Sequence, residues 1–315
     1  MVFLLGDLDL PLRDRIYREP DGPHVVICLG TLLDDALDHV AARPDCRALA
    51  VLGLPAYAPP EELRVLEGRR FLVADDDRTR RRSYVEAGLR VGAEVEWLNQ
   101  VRPPLERVAA WALPVGAVIL AAGRGKRMGK QKLLLDVAGR PLVRHVVDAA
   151  AASGCDEVLV VYSDPAVADA VAERARCVEN PNPDAGMSGS LRLGLEALGD
   201  QEAGALVLLG DQPLVEPEII AALLRHWRRE GSRAAVATRY ASDDGEGPWW
   251  RPPVLLDRSL FSEMRTLTGD QGARQVLNER RELVDVVVTQ TPPHDVDTPE
   301  DYAKIVRLFP GPGQG

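Results

Sequence analysis

The stretch Val115-Gly-Ala-Val-Ile-Leu-Ala-Ala-Gly-Arg-Gly-Lys-Arg-Met-Gly-Lys-Gln-Lys132 decides the fold. Val115–Leu120 is apolar without alternation, which is how a strand reads when both faces of a parallel sheet are covered. The run ends in small residues: Ala121, Ala122, Gly123 and Gly125 leave no large side chain between backbone and ligand. Successive amide N–H groups in such a loop can turn inward and cradle phosphate oxygens. Arg127 and Lys132 then bring full positive charge to the outer phosphates of a nucleotide, with Arg124 or Lys126 assisting. The spacing is not that of the Walker loop, and no Ser or Thr follows Lys132.

Working outward, strand and helix signals alternate. Downstream, the pattern predicts helices over Leu142–Ser153, Val167–Arg174, Ser190–Leu198 and Glu216–Glu230, and strands over Glu157–Tyr162, Ala205–Leu209 and Ala234–Thr238. Upstream, strands are expected at His24–Leu29, Ala48–Leu52, Phe71–Ala74 and Ala93–Trp97, with helical periodicity at Leu32–Ala42, Pro59–Leu66 and Thr79–Val91. The prolines of Arg102-Pro-Pro and Ala112-Leu-Pro114 bracket a connector. The reading is therefore α/β: a small Rossmann-like α/β domain over residues 1–112, and a doubly wound domain over 113–315 whose ligands bind beyond the carboxyl ends of its strands.

Composition bounds the function. At 315 residues the chain has room for two cores, and its 46% hydrophobic and 27% charged residues are those of an ordinary globular protein. A formal net charge of −10 speaks against a nucleic-acid partner. No apolar run approaches a membrane span, and the start lacks the basic, long apolar form of a signal peptide, so no membrane and a cytoplasmic location are expected. Cys28, Cys46, Cys155 and Cys177 are scattered, the pattern of reduced thiols rather than of a zinc site. The run Arg78-Thr-Arg-Arg-Arg82 reads as a solvated helix face.

Two carboxylates are candidates for a hard cation. Asp211 closes the apolar strand of Leu206-Val-Leu-Leu-Gly-Asp-Gln-Pro213, and Asp297 sits in His294-Asp-Val-Asp-Thr-Pro-Glu300. A turn residue and a helix cap, respectively, are the plainer readings of the same patterns. Ser188 and Ser190, in Gly186-Met-Ser-Gly-Ser190, open a helix and can cap it or meet nucleotide oxygens. His145 reads as structural, and His294 adjoins the second carboxylate. Upstream, Gly30-Thr31 and Asp75-Asp-Asp77 could be a phosphate loop and a metal cluster; a turn and a helix cap are expected instead.

Leu120-Ala-Ala-Gly123, Arg127-Met-Gly129 and Lys132, continued by Leu133-Leu-Leu-Asp-Val-Ala-Gly-Arg-Pro-Leu142, resemble the signature of nucleotidyltransferases related to molybdenum-cofactor biosynthesis. The resemblance implies a glycosyltransferase-A-like fold and transfer of a nucleotidyl group from an NTP to a small phosphorylated acceptor. It further implies Mg²⁺ held by Asp211 and Asp297, and catalysis by Arg127, Lys132 and Asp211. The nucleotide is expected against Ala121, Ala122, Gly123, Gly125, Ser188 and Ser190. Ala122, the Gly210-Asp-Gln-Pro213 segment and Thr268-Gly-Asp-Gln-Gly-Ala-Arg274 are similar to the cytidylyl-transferring branch, which implies CTP, molybdopterin as acceptor and a molybdoenzyme as partner. Arg251-Pro-Pro253 departs from the Gly-His-Pro of that branch, so other acceptors stay open: a sugar phosphate, methylerythritol phosphate or phospholactate, as does a non-catalytic cofactor carrier. Trp249 and Trp250 beside it can stack on a flat ring or pack a loop. Partner docking or cofactor hand-over is the role its fusion to the transferase suggests for the first domain.

Overall fold

Apolar runs become strands and amphipathic runs cover them, in two units, Met1–Leu113 and Pro114–Gly315. The structure is a computed structural model. It describes residues 2–5, 24–56, 58–98, 114–123, 131–199, 202–230, 234–240, 250–269, 273–289 and 294–309.

In the first unit the elements are β1 (Val2–Leu5), β2 (His24–Leu29), α1 (Leu33–Ala42), β3 (Cys46–Leu52), a 3₁₀ turn (Glu61–Leu66), β4 (Arg70–Ala74), α2 (Arg78–Arg90) and β5 (Glu94–Leu98). All neighbouring strands are parallel. Leu33, Leu37 and Val40 of α1, Leu63 and Leu66 of the turn, and Tyr84 of α2 share one core with Val26, Leu49, Val51, Phe71 and Val73. The three connections therefore lie on one face. The strand order is β1-β2-β3-β4-β5. The unit is parallel α/β, and the reversal of strand order that makes the ligand crevice of a full doubly wound sheet does not occur among its described strands. The expected helix at Pro59–Leu66 is a 3₁₀ turn, because two prolines fix its entry and Gly68, at φ 67°, ends it.

The acidic run closing β4 is structural, as expected. Asp77 caps α2, accepting from the amides of Thr79 (2.8 Å) and Arg80 (2.9 Å). Buried Asp75 accepts from the amides of Leu54 (2.7 Å) and Asp77 (2.7 Å) and from Arg80 Nη2 (3.2 Å). Arg81 donates to the Asp75 carbonyl at 2.6 Å and Arg80 to its carboxylate, so part of the basic run braces Asp75 instead of facing only solvent. Gly30 is a contact residue: a Cβ there would lie 1.8 Å from the Gly53 carbonyl oxygen.

The second unit contains β6 (Val115–Ala121), the hairpin β7 (Asp136–Val137) and β8 (Arg140–Pro141), α3 (Leu142–Ala151), β9 (Glu157–Tyr162), α4 (Pro165–Asp169), β10 (Arg176–Glu179), α5 (Met187–Leu198) and β11 (Gly204–Leu209). It continues with α6 (Pro217–Glu230), β12 (Ala235–Tyr240), β13 (Arg251–Asp257), α7 (Phe261–Met264), α8 (Arg274–Glu279), β14 (Val284–Thr289) and α9 (Pro299–Leu308). Seven strands form one sheet in the order β10-β9-β6-β11-β13-β12-β14. Only β13 runs antiparallel to its neighbours. The α4 helix is shorter than expected: beyond Ala170, i,i+3 bonds (Val171 to Ala168, Arg174 to Val171) break the regular ladder, and an i,i+4 bond returns from Ala175 to Val171. From β6 the chain steps outward to β9 and β10, then returns to β11 on the other side, so a crevice opens where β6 and β11 end together.

Close packing fixes that crevice. Helix α5 crosses β6 through two glycines: a Cβ on Gly194 would lie 2.3 Å from Val118 Cγ1, and one on Gly116 2.2 Å from Leu198 Cδ2. Leu191, Leu195 and Leu198 of α5 join Phe261, Met264 and Leu277 in the core over one face. On the other, α3 packs on β6 and β9, and α6 on β12 and β13. Trp250 is 4% exposed and belongs to this core, its Nε1 3.4 Å from Asn278 Oδ1, so it packs instead of offering a face to a ligand.

Candidate active site

At the switch point three sequence-predicted residues meet. Lys132 Nζ donates to Asp211 Oδ2 at 2.6 Å and to Asp297 Oδ1 at 2.8 Å. Each arrives from a different element. Lys132 begins a 3₁₀ turn (Lys132–Leu134) anchored by the buried Leu133. Asp211 follows the end of β11, where the Gly210 amide donates to the Leu120 carbonyl (3.0 Å) and holds the ends of β11 and β6 together. Asp297 precedes α9 in an extended segment whose Val296 amide donates to the Asp211 carbonyl (3.1 Å).

The plainer reading of Asp297 as a helix cap falls to its neighbour. Thr298 caps α9 by accepting from the Asp301 amide, and the Asp301 carboxylate accepts in return from the Thr298 amide (3.0 Å), a complete capping box. Asp297 is left to face Lys132. Asp211 likewise spends its carbonyl on the segment and its carboxylate on Lys132.

Burial opposes charge on Lys132, but the two carboxylates outweigh it and hold its ammonium above the usual lysine range. Burial raises the carboxyl of Asp211, Lys132 pulls it back, and Asp295 and Asp297 push it further up. Among the described residues, three carboxylates surround one ammonium. Two carboxylates already gathered on one cation suit a hard divalent ion, which takes oxygen ligands and keeps places for water and phosphate. Among the described residues no three Asp, Glu, His or Cys side chains form a complete cage, so the remaining ligands would come from substrate and solvent.

Ala121, Ala122 and Gly123 follow at the end of β6. Ser163 Oγ donates to the Ala122 carbonyl at 3.0 Å and fixes this turn. Among the described residues, a Cβ at Gly123 would meet nothing within 4 Å. Gly125 and Arg127 lie outside the described residues, as do Arg124 and Lys126. Ser188 and Ser190 are both buried in the first turn of α5, and the Ser190 hydroxyl accepts from Asn180 Nδ2 at 3.0 Å. Gly186 caps α5 without a side-chain bond, so the first-turn amides have no side-chain cap. His145 is structural, 2.8 Å from the Val137 carbonyl and ring to ring with Phe309.

Sequence reading assigned no role of their own to Gln212, Asp295 or Ser163. Gln212 Nε2 donates to Asp295 Oδ1 at 2.7 Å. The available signal was the Asp-Val-Asp alternation: in an extended segment positions i and i+2 face the same side, so Asp295 was bound to accompany Asp297.

Comparison with known proteins follows the same boundary. The pattern of the MobA-like NTP transferase domain matches residues 117–285. Nicotine blue oxidoreductase of Paenarthrobacter nicotinovorans is 34% identical over 202 residues, 61% of this chain and 96% of that protein. Rv0371C of Mycobacterium tuberculosis H37Rv, solved in complex with manganese, is 26% identical with a TM-score of 0.52, over 62% of this chain and 98% of that one. A nucleotidyl transferase from Methanothermobacter thermautotroptrophicus is 25% identical with a TM-score of 0.52, over 62% and 96% of the two chains.

Proposed function

The chain belongs to the MobA-like NTP transferase family and is a nucleotidyltransferase, and on that premise we propose that its second unit transfers CMP from Mg²⁺-bound CTP to molybdopterin, releasing pyrophosphate. The observation that carries the chemistry is the bridge of Lys132 between Asp211 and Asp297 at the crevice. The cytidine preference rests on Ala122 and on Gly210-Asp-Gln-Pro213.

In this reaction an acceptor phosphate oxygen attacks the α-phosphorus in line, a new P–O bond forms, and the bond to pyrophosphate breaks. Positioning and charge neutralisation do most of the work. The acceptor phosphate, with a second pKa of about 6, is already ionised at neutral pH and needs no general base. Asp211 and Asp297 would hold Mg²⁺, which supplies charge neutralisation at the phosphates. Lys132, drawn off its carboxylates by a triphosphate, would exchange two carboxylate oxygens for phosphate oxygens. Arg127 and the amides of Ala122, Gly123 and Gly125 complete the proposed cradle, and Ser188 and Ser190 shape the helix start beside it.

Mass spectrometry of products formed with Mg²⁺, molybdopterin and each NTP in turn tests the proposal. A cytosine dinucleotide pterin with CTP alone is expected; no adduct with any NTP, from protein that still binds Mg²⁺-nucleotide, rejects the pterin. One observation favours a second reading. Trp250 is buried, which removes one of two aromatic faces for a flat ring, and so favours another phosphorylated acceptor such as a sugar phosphate, methylerythritol phosphate or phospholactate. Pyrophosphate release on adding each of these decides it, and release with any acceptor excludes a mere carrier. For the first unit we propose docking of the molybdoenzyme that receives the product. Unchanged delivery after deletion of residues 1–112 would end that proposal.

A further inference from the structure

We infer that Gln212 is a positioning residue for the metal–triphosphate centre, acting on Asp297 through Asp295. Gln212 follows Asp211 directly and is 4% exposed. Its Nε2 reaches Asp295 Oδ1 at 2.7 Å, across 83 positions of sequence. One residue on, the Val296 amide donates to the Asp211 carbonyl at 3.1 Å. The segment carrying Asp297 is thus held to the end of β11 at two consecutive residues, and only the Gln212 contact is made by a side chain.

Two features separate this contact from ordinary packing. Gln212 Oε1 is buried and, among the described residues, has no hydrogen-bond partner. The amide cannot relieve this by flipping, because that would set its oxygen against the Asp295 carboxylate. Packing alone does not account for an acceptor left unmet among the described residues, whereas the N–H₂ of the same amide is aimed at Asp295. Gln212 is also a neutral donor. It fixes Asp295 without cancelling its charge, which therefore still acts on Asp211. A cation at position 212 would hold the segment equally well and weaken the site.

The inference rests on Asp211 and Asp297 holding a divalent ion, and the test separates the two claims. Mn²⁺ binding to the full chain with CTP present is followed by electron paramagnetic resonance of the free ion, together with thermal melting. Gln212→Met keeps the volume and removes the amide. It is expected to weaken Mn²⁺ binding about 10-fold while leaving the melting temperature unchanged or raised. Asp295→Ala is expected to weaken binding as well, and adding Gln212→Met to it to do no further harm, since the two act as one unit. A wild-type protein that binds Mn²⁺ beside a Gln212→Met variant that binds it equally overturns this inference alone. So does a melting temperature that falls together with affinity, or a full effect of Gln212→Met in the Asp295→Ala background. A wild-type protein that binds no Mn²⁺ with CTP overturns the metal reading and this inference with it.

Discussion

Lys132 gathers carboxylates 79 and 165 positions away, and the strongest expectations attach to these three side chains. Asp211→Ala removes a preorganised charge from the crevice, so turnover is expected to fall roughly 10²–10³-fold with circular dichroism unchanged; near-normal pyrophosphate release would refute the assignment. Lys132→Met leaves Asp211 and Asp297 facing one another without a counter-charge among the described residues. Melting without ligand is expected to show a loss of about 1–3 kcal/mol, partly restored by Mn²⁺ and not by Na⁺. The residue types were legible because each chemistry needs its own: a carboxylate at a strand end, a lysine after a small-residue loop. Their mutual contact was not, since no local pattern says that Lys132 spans both acids. Trp250 shows the reverse case, an aromatic that sequence leaves open to stacking and the core claims. Cys28 belongs here too: burial pushes its thiol up to about 12, so it is expected to stay unmodified by a thiol reagent at pH 8 until the protein is denatured.

At the scale of elements, α5 packs on β6 beside the crevice and α9 follows directly on Asp297. Gly194→Ala raises helix propensity by about 1 kcal/mol, but its Cβ would sit 2.3 Å from Val118 Cγ1. Overpacking of about 1–3 kcal/mol outweighs that gain, so a net loss of stability is expected in denaturant titrations. Thr298→Ala removes the cap of α9 and is expected to cost about 1 kcal/mol. The cap also depends on pH. The hydrogen bond from the Thr298 hydroxyl is the first reason the Asp301 carboxyl lies below its usual range. Its folded value is thus below its unfolded one, so its contribution is present at neutral pH and fades as pH falls below about 4. The stability gap between wild type and Asp301→Asn is expected to close in acid melts. Long apolar or amphipathic elements such as β6, β11 and α6 could be read directly, because burial on both faces or along one stripe leaves a plain pattern. The brief α4, and the Pro-bounded turn at Glu61–Leu66, could not: their ends are set by i,i+3 bonds and by packing.

On the whole-molecule scale the crevice is made by strand order, which no periodicity encodes. The alternation of strand and helix announces two α/β units, yet one has a sequential sheet and the other reverses between β6 and β11. Only the reversal makes a crevice at strand ends, which is why the candidate site lies in the second unit. The same division predicts that residues 114–315 fold without the first unit, checked by a single cooperative melt of that fragment. Crystals of the full protein with Mn²⁺ and a non-hydrolysable CTP analogue provide the most direct test, read by anomalous scattering. We expect one Mn²⁺ on the carboxylates of Asp211 and Asp297, with Lys132 moved from them onto the triphosphate. Manganese bound elsewhere, with Lys132 still bridging the two carboxylates, would contradict the account.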